Sequence, residues 1–403
     1  MSIPEQSGKV IPSHVPEHLV VDFDIYKTPR ESEDVFLGWK QLHAEGTPDL
    51  VWSPYNTGHW IATRGELIFQ MYKDDERFTS AKKDVPRRPD NMLRFLPFEA
   101  DAPLHQAYRA PLLSFFNPKA IDSIMVDARN WAIELIEGFS DLGECEFVAD
   151  FALKMPIGVV MNLLDFPWED RDELVAHTET GLRDPDQDKR LTAQKATIAY
   201  VANKLEERRT SPGHDVISHL FKADILGRPI TDEEVLGIAV NLTFGGLDTV
   251  TSTLGFIAKF LAESPEHQSR LSSEPAMAAK SVDELLRRFS VSNPGRTVAR
   301  DMEYNGVQLK QGDIVILPGG LHGMDERSFD NAMNVDFDRA RTISSVFGNG
   351  AHRCLGSYLA RSELRMFLEE WFQRIPSFRI RDGEKPITVS GMVNGVEYLP
   401  LVW

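Results

Sequence analysis

The sequence predicts a mainly helical protein with a small β-rich region. Apolar residues recur at the helical period almost without break from about Asn117 to Glu263. Strand-type runs are confined to the two flanks of that block, and no internal repeat or low-complexity stretch interrupts it. Of the 403 residues, 42% are hydrophobic and 26% charged, an ordinary globular composition. The chain is read as one unit over 1–403.

The opening 25 residues, punctuated by proline, read as an extended arm. Asp49 to Phe69 mix aromatic and β-branched residues around Gly58 and Gly65, so short strands and a turn are expected. Helices are expected over Ala120–Gly138, Phe151–Leu164, Thr192–Arg209 and Asp232–Ala262. Pro212-Gly213 and Gly227 to Thr231 break the pattern, and Thr231 is placed to cap the last of these helices. Residues 297–320 read as short strands with an Asn305-Gly306 hairpin turn. A final helix is expected from Leu355 to about Gln373, and strands close the chain over Leu399–Trp403.

Only Cys145 and Cys354 are present, too few for a disulfide framework and consistent with a reducing cytoplasm. Met1 to Glu17 lack an apolar secretory core. No stretch reads as the roughly 18 apolar residues that span a bilayer. A net charge of −17 disfavours nucleic acid and anionic membranes. The expectation is a cytoplasmic monomer that binds neither nucleic acid nor membrane.

Two places carry chemistry. Cys354 lies in Phe347-Gly348-Asn349-Gly350-Ala351-His352-Arg353-Cys354-Leu355-Gly356, just before the last helix. A cysteine at a helix N-terminus meets unpaired N–H groups that lower its pKa and favour the metal-binding thiolate. Gly350 and Gly356 permit tight turning and close approach of a flat partner, and Phe347 offers an aromatic face. The reading is a thiolate loop ligating a heme iron. The second place is Phe244-Gly245-Gly246-Leu247-Asp248-Thr249, mid-way along Asp232–Ala262. Two glycines inside a helix cost about 1 kcal/mol each relative to alanine. They make room for a ligand against the backbone, or mark a local widening of the helix. An acid beside a hydroxyl in such a place needs a role or partners. Glu284 and Arg287, three apart, form a common helix-face pair.

The phrase F-x-x-G-x-H-x-C-x-G resembles the heme-binding motif of the cytochrome P450 family, in which a cysteine thiolate ligates heme. The acid–alcohol pair and the E-x-x-R motif, 67 positions before Cys354 (354 − 287), match in order and spacing. The resemblance implies the cytochrome P450 fold, with heme b (iron protoporphyrin IX) between the long central helix and the Cys354 loop. It implies that Cys354 is the iron ligand and that Thr249 hydrogen-bonds dioxygen at the heme. Asp248 would relay protons, with Arg183 as its partner. Glu284, Arg287 and Arg339 would be structural, and His105, Arg109, Arg296 and His352 would bind propionates. Cys145 is then left as a structural residue.

Further runs resemble the camphor-hydroxylase subfamily over nearly the whole chain: His14 to Val20, Gly58 to Gly65, Glu284 to Ser290 and Leu399 to Trp403. One departure matters: Leu93 stands where that subfamily has a tyrosine that orients the substrate ketone. Asn241, Phe244 and Pro294 also differ, and Phe98, Gly245 and Ser292 complete the expected substrate pocket. The implied activity is monooxygenation of a small apolar substrate. A terpenoid or ionone-like norisoprenoid is favoured over camphor or another monoterpene. Electrons would come from a [2Fe-2S] ferredoxin and an NADH-dependent ferredoxin reductase, docking near Arg109, Arg341, Arg353, Lys73, Arg77 and Leu355. A peroxide-driven enzyme and a non-catalytic heme sensor or carrier are the competing readings. The intact Asp248-Thr249 pair argues against both.

Overall fold

The structure is a computed structural model that describes residues 9–28, 34–81, 83–87, 92–183 and 187–403. Its helices among these are α1 (Val35–Lys40), α2 (Gly65–Lys73), α3 (Leu104–Arg109), α4 (Pro118–Ser140), α5 (Lys154–Leu164), α6 (Arg171–Arg183), α7 (Gln187–Thr210), α8 (Val216–Leu220), α9 (Asp232–Ala262), α10 (Pro265–Ser273), α11 (Met277–Arg288), α12 (Gly319–Gly323) and α13 (Ser357–Arg374).

The strands are β1 (Leu50–Ser53), β2 (His59–Ala62), β3 (Phe78–Thr79), β4 (Glu144–Glu146), β5 (Gly295–Val298), β6 (Met302–Tyr304), β7 (Val307–Leu309), β8 (Ile314–Ile316), β9 (Arg379–Ile380), β10 (Ile387–Val389), β11 (Gly395–Tyr398) and β12 (Pro400–Val402). The largest sheet has the order β1-β2-β8-β5-β3. Its β2–β8 pair is parallel and the others antiparallel. In β1 and β2 every residue is buried.

The expected helices are found with shifted ends. α9 runs over the expected span, and Thr231 caps it reciprocally with Glu234. The expected Phe151–Leu164 helix begins instead with a wide turn over Val148–Ala152, in which the Leu153 N–H reaches the Val148 carbonyl at 2.9 Å. The expected strand region 49–69 ends in α2, and 297–320 ends in α12. The last helix starts at Ser357, two residues late, because Gly356 occupies the N-cap. α6 was missed: its mixed polar face carries too little apolar periodicity to read. Asn305 and Gly306 both take positive φ, as the β6–β7 hairpin requires. α9 also corrects the membrane reading, since by length and composition it is the one described helix that could cross a bilayer. It is instead the core helix, with eighteen buried residues.

The core has two parts, and α9 threads both. Val235 to Leu247 pack in a cluster with α5, α7 and α8. From Val250 onward α9 packs in a second cluster with α4, α11, α13 and the main sheet. The Phe147, Phe151, Phe367 and Trp371 rings meet in the second cluster at centroid distances of 5.2–5.8 Å. Each fully buried side chain of this size contributes about 1.5–3 kcal/mol.

Glu284, Arg287 and Arg339 come together in a buried ion network. Arg287 donates to both Glu284 oxygens at 2.7 and 2.8 Å, and Arg339 Nε adds contacts at 3.0 and 3.1 Å. Arg287 also holds the Ala332 and Asn334 carbonyls at 2.7 and 2.9 Å. The network therefore ties α11 to the loop that leads towards Cys354. Removing one partner strands a buried charge. Glu284→Ala is expected to lower urea-unfolding stability by about 3–5 kcal/mol. Lys310→Ala, which breaks the exposed 2.7 Å pair with Asp301, should cost less than about 1 kcal/mol. Equal effects would refute the buried assignment.

Glu363 of α13 is buried, and burial pushes its carboxyl up to about 8. The unfolded chain releases this proton near 4.5, whereas the folded chain keeps it. Between those values the native state binds more protons, so stability falls as pH rises and levels off above about 8. Glu363→Gln should flatten this dependence and raise stability at about pH 8 by a few kcal/mol, read from unfolding midpoints at pH 5 and pH 8.

Candidate active site

The Cys354 loop is shaped by two glycines. Gly348 and Gly350 have φ of +63° and +68°, values that L side chains rarely adopt. A Cβ at Gly350 would lie 2.8 Å from the Tyr72 carbonyl and 3.0 Å from Lys73 Cα, so the loop rests directly on the backbone of α2. The Cys354 N–H closes the loop on the Phe347 carbonyl at 2.8 Å. The Phe347 ring carries the Arg361 guanidinium 4.6 Å from its centroid. Cys354 itself is solvent-accessible.

The sequence led us to expect a lowered thiol pKa. In the structure burial pushes it up, and the Gly356 N–H, Arg109, Arg353 and Arg361 only partly offset this. Cys354 lies three residues before α13, and the N–H of the N-cap residue Gly356 reaches its sulfur. A bound metal cation would deprotonate such a thiol outright.

On α9 the covered face opens at one place. Gly245 is exposed, although Thr243, Leu247 and Val250 around it are buried. The Thr249 hydroxyl donates to the Gly245 carbonyl at 3.0 Å, and Thr253 to the Thr249 carbonyl at 2.7 Å. The helix stays α throughout, so the expected widening is not found. A side-chain hydroxyl on the i−4 carbonyl replaces it. Asp248 is half-buried. Arg183 ends α6, and its side chain lies outside the described residues.

A third group is cationic. His105 and His352 stack with ring centroids 3.9 Å apart, and Ser80 Oγ lies 3.2 Å from His352 Nε2. Arg109 donates to the Arg353 carbonyl at 2.6 Å. Arg296 is 3% exposed, and its guanidinium lies 5.3 Å from the Tyr72 ring centroid. Burial pulls the His352 imidazole down to about 2, with Arg296, His105, Lys83 and Arg109 adding to the effect. Burial and Arg109 lower His105, while burial lowers Arg296. Among the described residues His105 Nδ1 is buried without a hydrogen-bond partner. Crowded, desolvated cations and an orphaned imidazole nitrogen favour an anionic guest. The two propionates of a heme meet that requirement, so the residues present fit the group. Lys83, Ser80 and Tyr72 were not singled out from the sequence; Lys82-Lys83 reads as an ordinary surface pair.

The expected pocket residues fall on segment 93–98, on α9 and near β5. Leu93 and Phe244 are half-buried, and the Phe95 and Phe244 rings lie 6.3 Å apart. Phe98 is 41% exposed, with the Lys83 ammonium 3.1 Å from its ring centroid. Asn241 donates to the Leu96 carbonyl at 3.2 Å, which pins the segment on α9. Gly237, overlooked in the sequence, allows the same contact: a Cβ there would overlap the Arg94 carbonyl. Ser292 bridges to Val393, and the Pro294 carbonyl accepts from the Leu317 N–H at 2.9 Å. Of the expected docking cations, Arg341 and Arg353 are exposed. Lys73 and Arg77 line an open cleft of about 640 Å³ with Asp74 and Glu76. Arg77 is paired there with Asp74, so this part is no free basic patch.

Comparison with known proteins agrees with this architecture. A family model described as cytochrome P450 matches residues 174–392. The "Probable cytochrome P450 127A1" of Sinorhizobium fredii is 32% identical over 98% of this chain and 97% of its own. "Cytochrome P450-terp" of a Pseudomonas species is 28% identical over 96% and 97%. The crystal structure of cytochrome P450 CYP101C1 superposes with a TM-score of 0.91 at 36% identity, covering 98% of this chain and all of that one. CYP101J2 gives a TM-score of 0.89 at 34% identity, covering 98% and 99%.

The two glycine environments can be separated by substitution. Gly383 has φ +81° with nothing nearby, whereas Gly350 also faces the α2 backbone. Gly383→Ala should cost about 1 kcal/mol, the left-handed penalty alone. Gly350→Ala should cost at least 2–3 kcal/mol and also lower heme content. Urea unfolding and the absorbance ratio of Soret to protein bands check this.

Proposed function

The chain belongs to the cytochrome P450 family and binds heme b as a monooxygenase, and we propose that its substrate is a small apolar terpenoid or an ionone-like norisoprenoid. In this reading Cys354 is the iron ligand, and His105, Arg109, Arg296 and His352 hold the propionates. Phe347 and Gly356 would face the porphyrin, whereas the sequence expectation for Gly350 is corrected: it lies on the α2 backbone and sets the path of the loop. When bound, the heme supplies activation of dioxygen and transfer of one oxygen atom to a C–H or C=C bond.

The observation that carries the reading is the opening at Gly245 beside the Thr249 hydroxyl. Reducing dioxygen to water while one oxygen atom enters substrate takes two electrons and two protons. The electrons come from outside the chain. The protons need a path into a site from which water is otherwise excluded. Thr249 holds a hydroxyl proton at the exposed stretch of α9, and the adjacent half-buried Asp248 brings protons from solvent to it. When Thr249 turns to donate, its hydroxyl gives up the hydrogen bond to the Gly245 carbonyl, whose oxygen is then left to accept from another donor.

The substrate class rests on the pocket candidates. Leu93, Phe95, Phe98 and Phe244 supply apolar surface, and the Asn241 amide is engaged with Leu96. Leu93 offers no hydroxyl to a ketone and one Asn241 N–H is committed to Leu96, so shape and apolar area select the ligand. The relative named P450-terp supports the terpenoid class. Electrons are supplied by a [2Fe-2S] ferredoxin and its NADH-dependent reductase, drawn to Arg109, Arg341 and Arg353 around the apolar Leu355. The protein works as a cytoplasmic monomer, with residues 1–403 as one unit.

The decisive measurement is the carbon monoxide adduct of the reduced protein, which should show the far-red Soret band of thiolate ligation. Thr249→Ala should lower product per NADH by roughly 10²-fold, the range for loss of a positioned proton donor, with reducing equivalents diverted to hydrogen peroxide. Unchanged coupling would refute the proton role. β-Ionone should produce a fuller low-to-high-spin conversion than camphor and bind at least about tenfold tighter. Equal or stronger conversion with camphor would refute the substrate class.

A further inference from the structure

His322 is not part of any expected site, yet it is connected to the Cys354 loop. It is buried in α12, in a slot made by Gly65, Phe69 and Phe329. A Cβ at Gly65 would collide with the imidazole, so that glycine makes the room. Held there, His322 Nδ1 lies 2.7 Å from Ser345 Oγ. Ser345 is also buried, and the Asn349 side-chain amide donates to the same hydroxyl at 3.0 Å. A serine hydroxyl has one donor and two acceptor positions, so it satisfies both neighbours at once. Burial pulls the His322 imidazole down to about 4, which keeps it neutral in this contact at ordinary pH.

Asn349 stands between the two left-handed glycines at 348 and 350, in an extended conformation with φ −145°. Gly348, Gly350 and Ala351 carry no polar side chain. The Asn349 amide is therefore the side-chain tether of the loop's tip. The backbone supplies the rest: Gly348 N–H to Ser345 O at 2.9 Å and Cys354 N–H to Phe347 O at 2.8 Å.

We propose that His322, acting through Ser345 and Asn349, is a positioning residue that fixes the path of the loop and thereby the place of the Cys354 sulfur. The inference rests on Cys354 being the heme ligand. It adds a distinct requirement: the sulfur's position depends on a buried side-chain relay from a different element, α12.

The test uses the reduced, carbon monoxide-bound holoprotein and follows the conversion of its thiolate-type Soret band to the thiol-type band. Ser345→Ala and Asn349→Ala should each speed this conversion about tenfold, the factor set by one lost hydrogen bond. The double variant should be no worse than either single one, because both break the same relay. His322→Gln should follow the same trend. Ser344→Ala serves as the control, since that hydroxyl is buried without a partner among the described residues; it should behave as the parent. Heme transfer to apomyoglobin gives a second readout. If Ser345→Ala and Asn349→Ala convert at the parent rate, or differ from it only in global unfolding midpoint, the inference is overturned. A parent protein without the thiolate band would instead overturn the assignment of Cys354.

Discussion

A helix that crosses the whole core must be covered along its length, except where it has to meet another molecule. α9 satisfies this by belonging to two apolar clusters, one on each side of residues 248–249. Its opening at Gly245 lies in the last turn of the first cluster, just before the second begins at Val250. The Gly245-Gly246 pair costs helix stability, and the eighteen buried residues of α9 more than offset it.

Electrostatics follows a similar logic. The protein as a whole is strongly acidic, but Arg296, Lys83, Arg109 and two histidines gather in one desolvated place. Each raises the cost of charging the others. Asp75 and Asp101 offset part of that cost, and a dianionic guest would offset more, which would link its binding to the stability of this region. The Glu284 network has a different design: its one carboxylate is met by Arg287 and Arg339, the remaining guanidinium N–H groups are taken up by the Asp330, Ala332 and Asn334 carbonyls, and it acts as scaffold without a guest.

The sequence made the residues with specific side-chain chemistry legible. Cys354, Asp248-Thr249 and the Glu284–Arg287 pair could be singled out because their spacing carried them, and α9 could be delimited because its cap and periodicity agree. What could not be read depends on contacts made by the backbone. Gly237 was not singled out and Gly65 read only as a turn glycine, since only the fold brings Arg94 or His322 against them. Lys83 looked like a surface charge, since its burial depends on the approach of β5 and segment 93–98. The direction of the Cys354 pKa was misjudged for the same reason: the helix dipole is visible in sequence, whereas the desolvation that outweighs it is not.

Segment 93–98 has a consequence for how this protein can change. Main-chain oxygens hold it in place: Arg94 O against Gly237, Leu96 O under Asn241, and Phe98 O on the Lys83 ammonium at 2.6 Å. Of its side chains, Leu96 is buried in the first cluster and Leu93 and Phe95 pack against it, whereas Phe98 is 41% exposed. Replacing Leu93 or Phe98 leaves those main-chain contacts and the buried Leu96 in place, so diversification at these positions is weakly coupled to foldability. Combinatorial libraries confined to them should retain a high fraction of intact members.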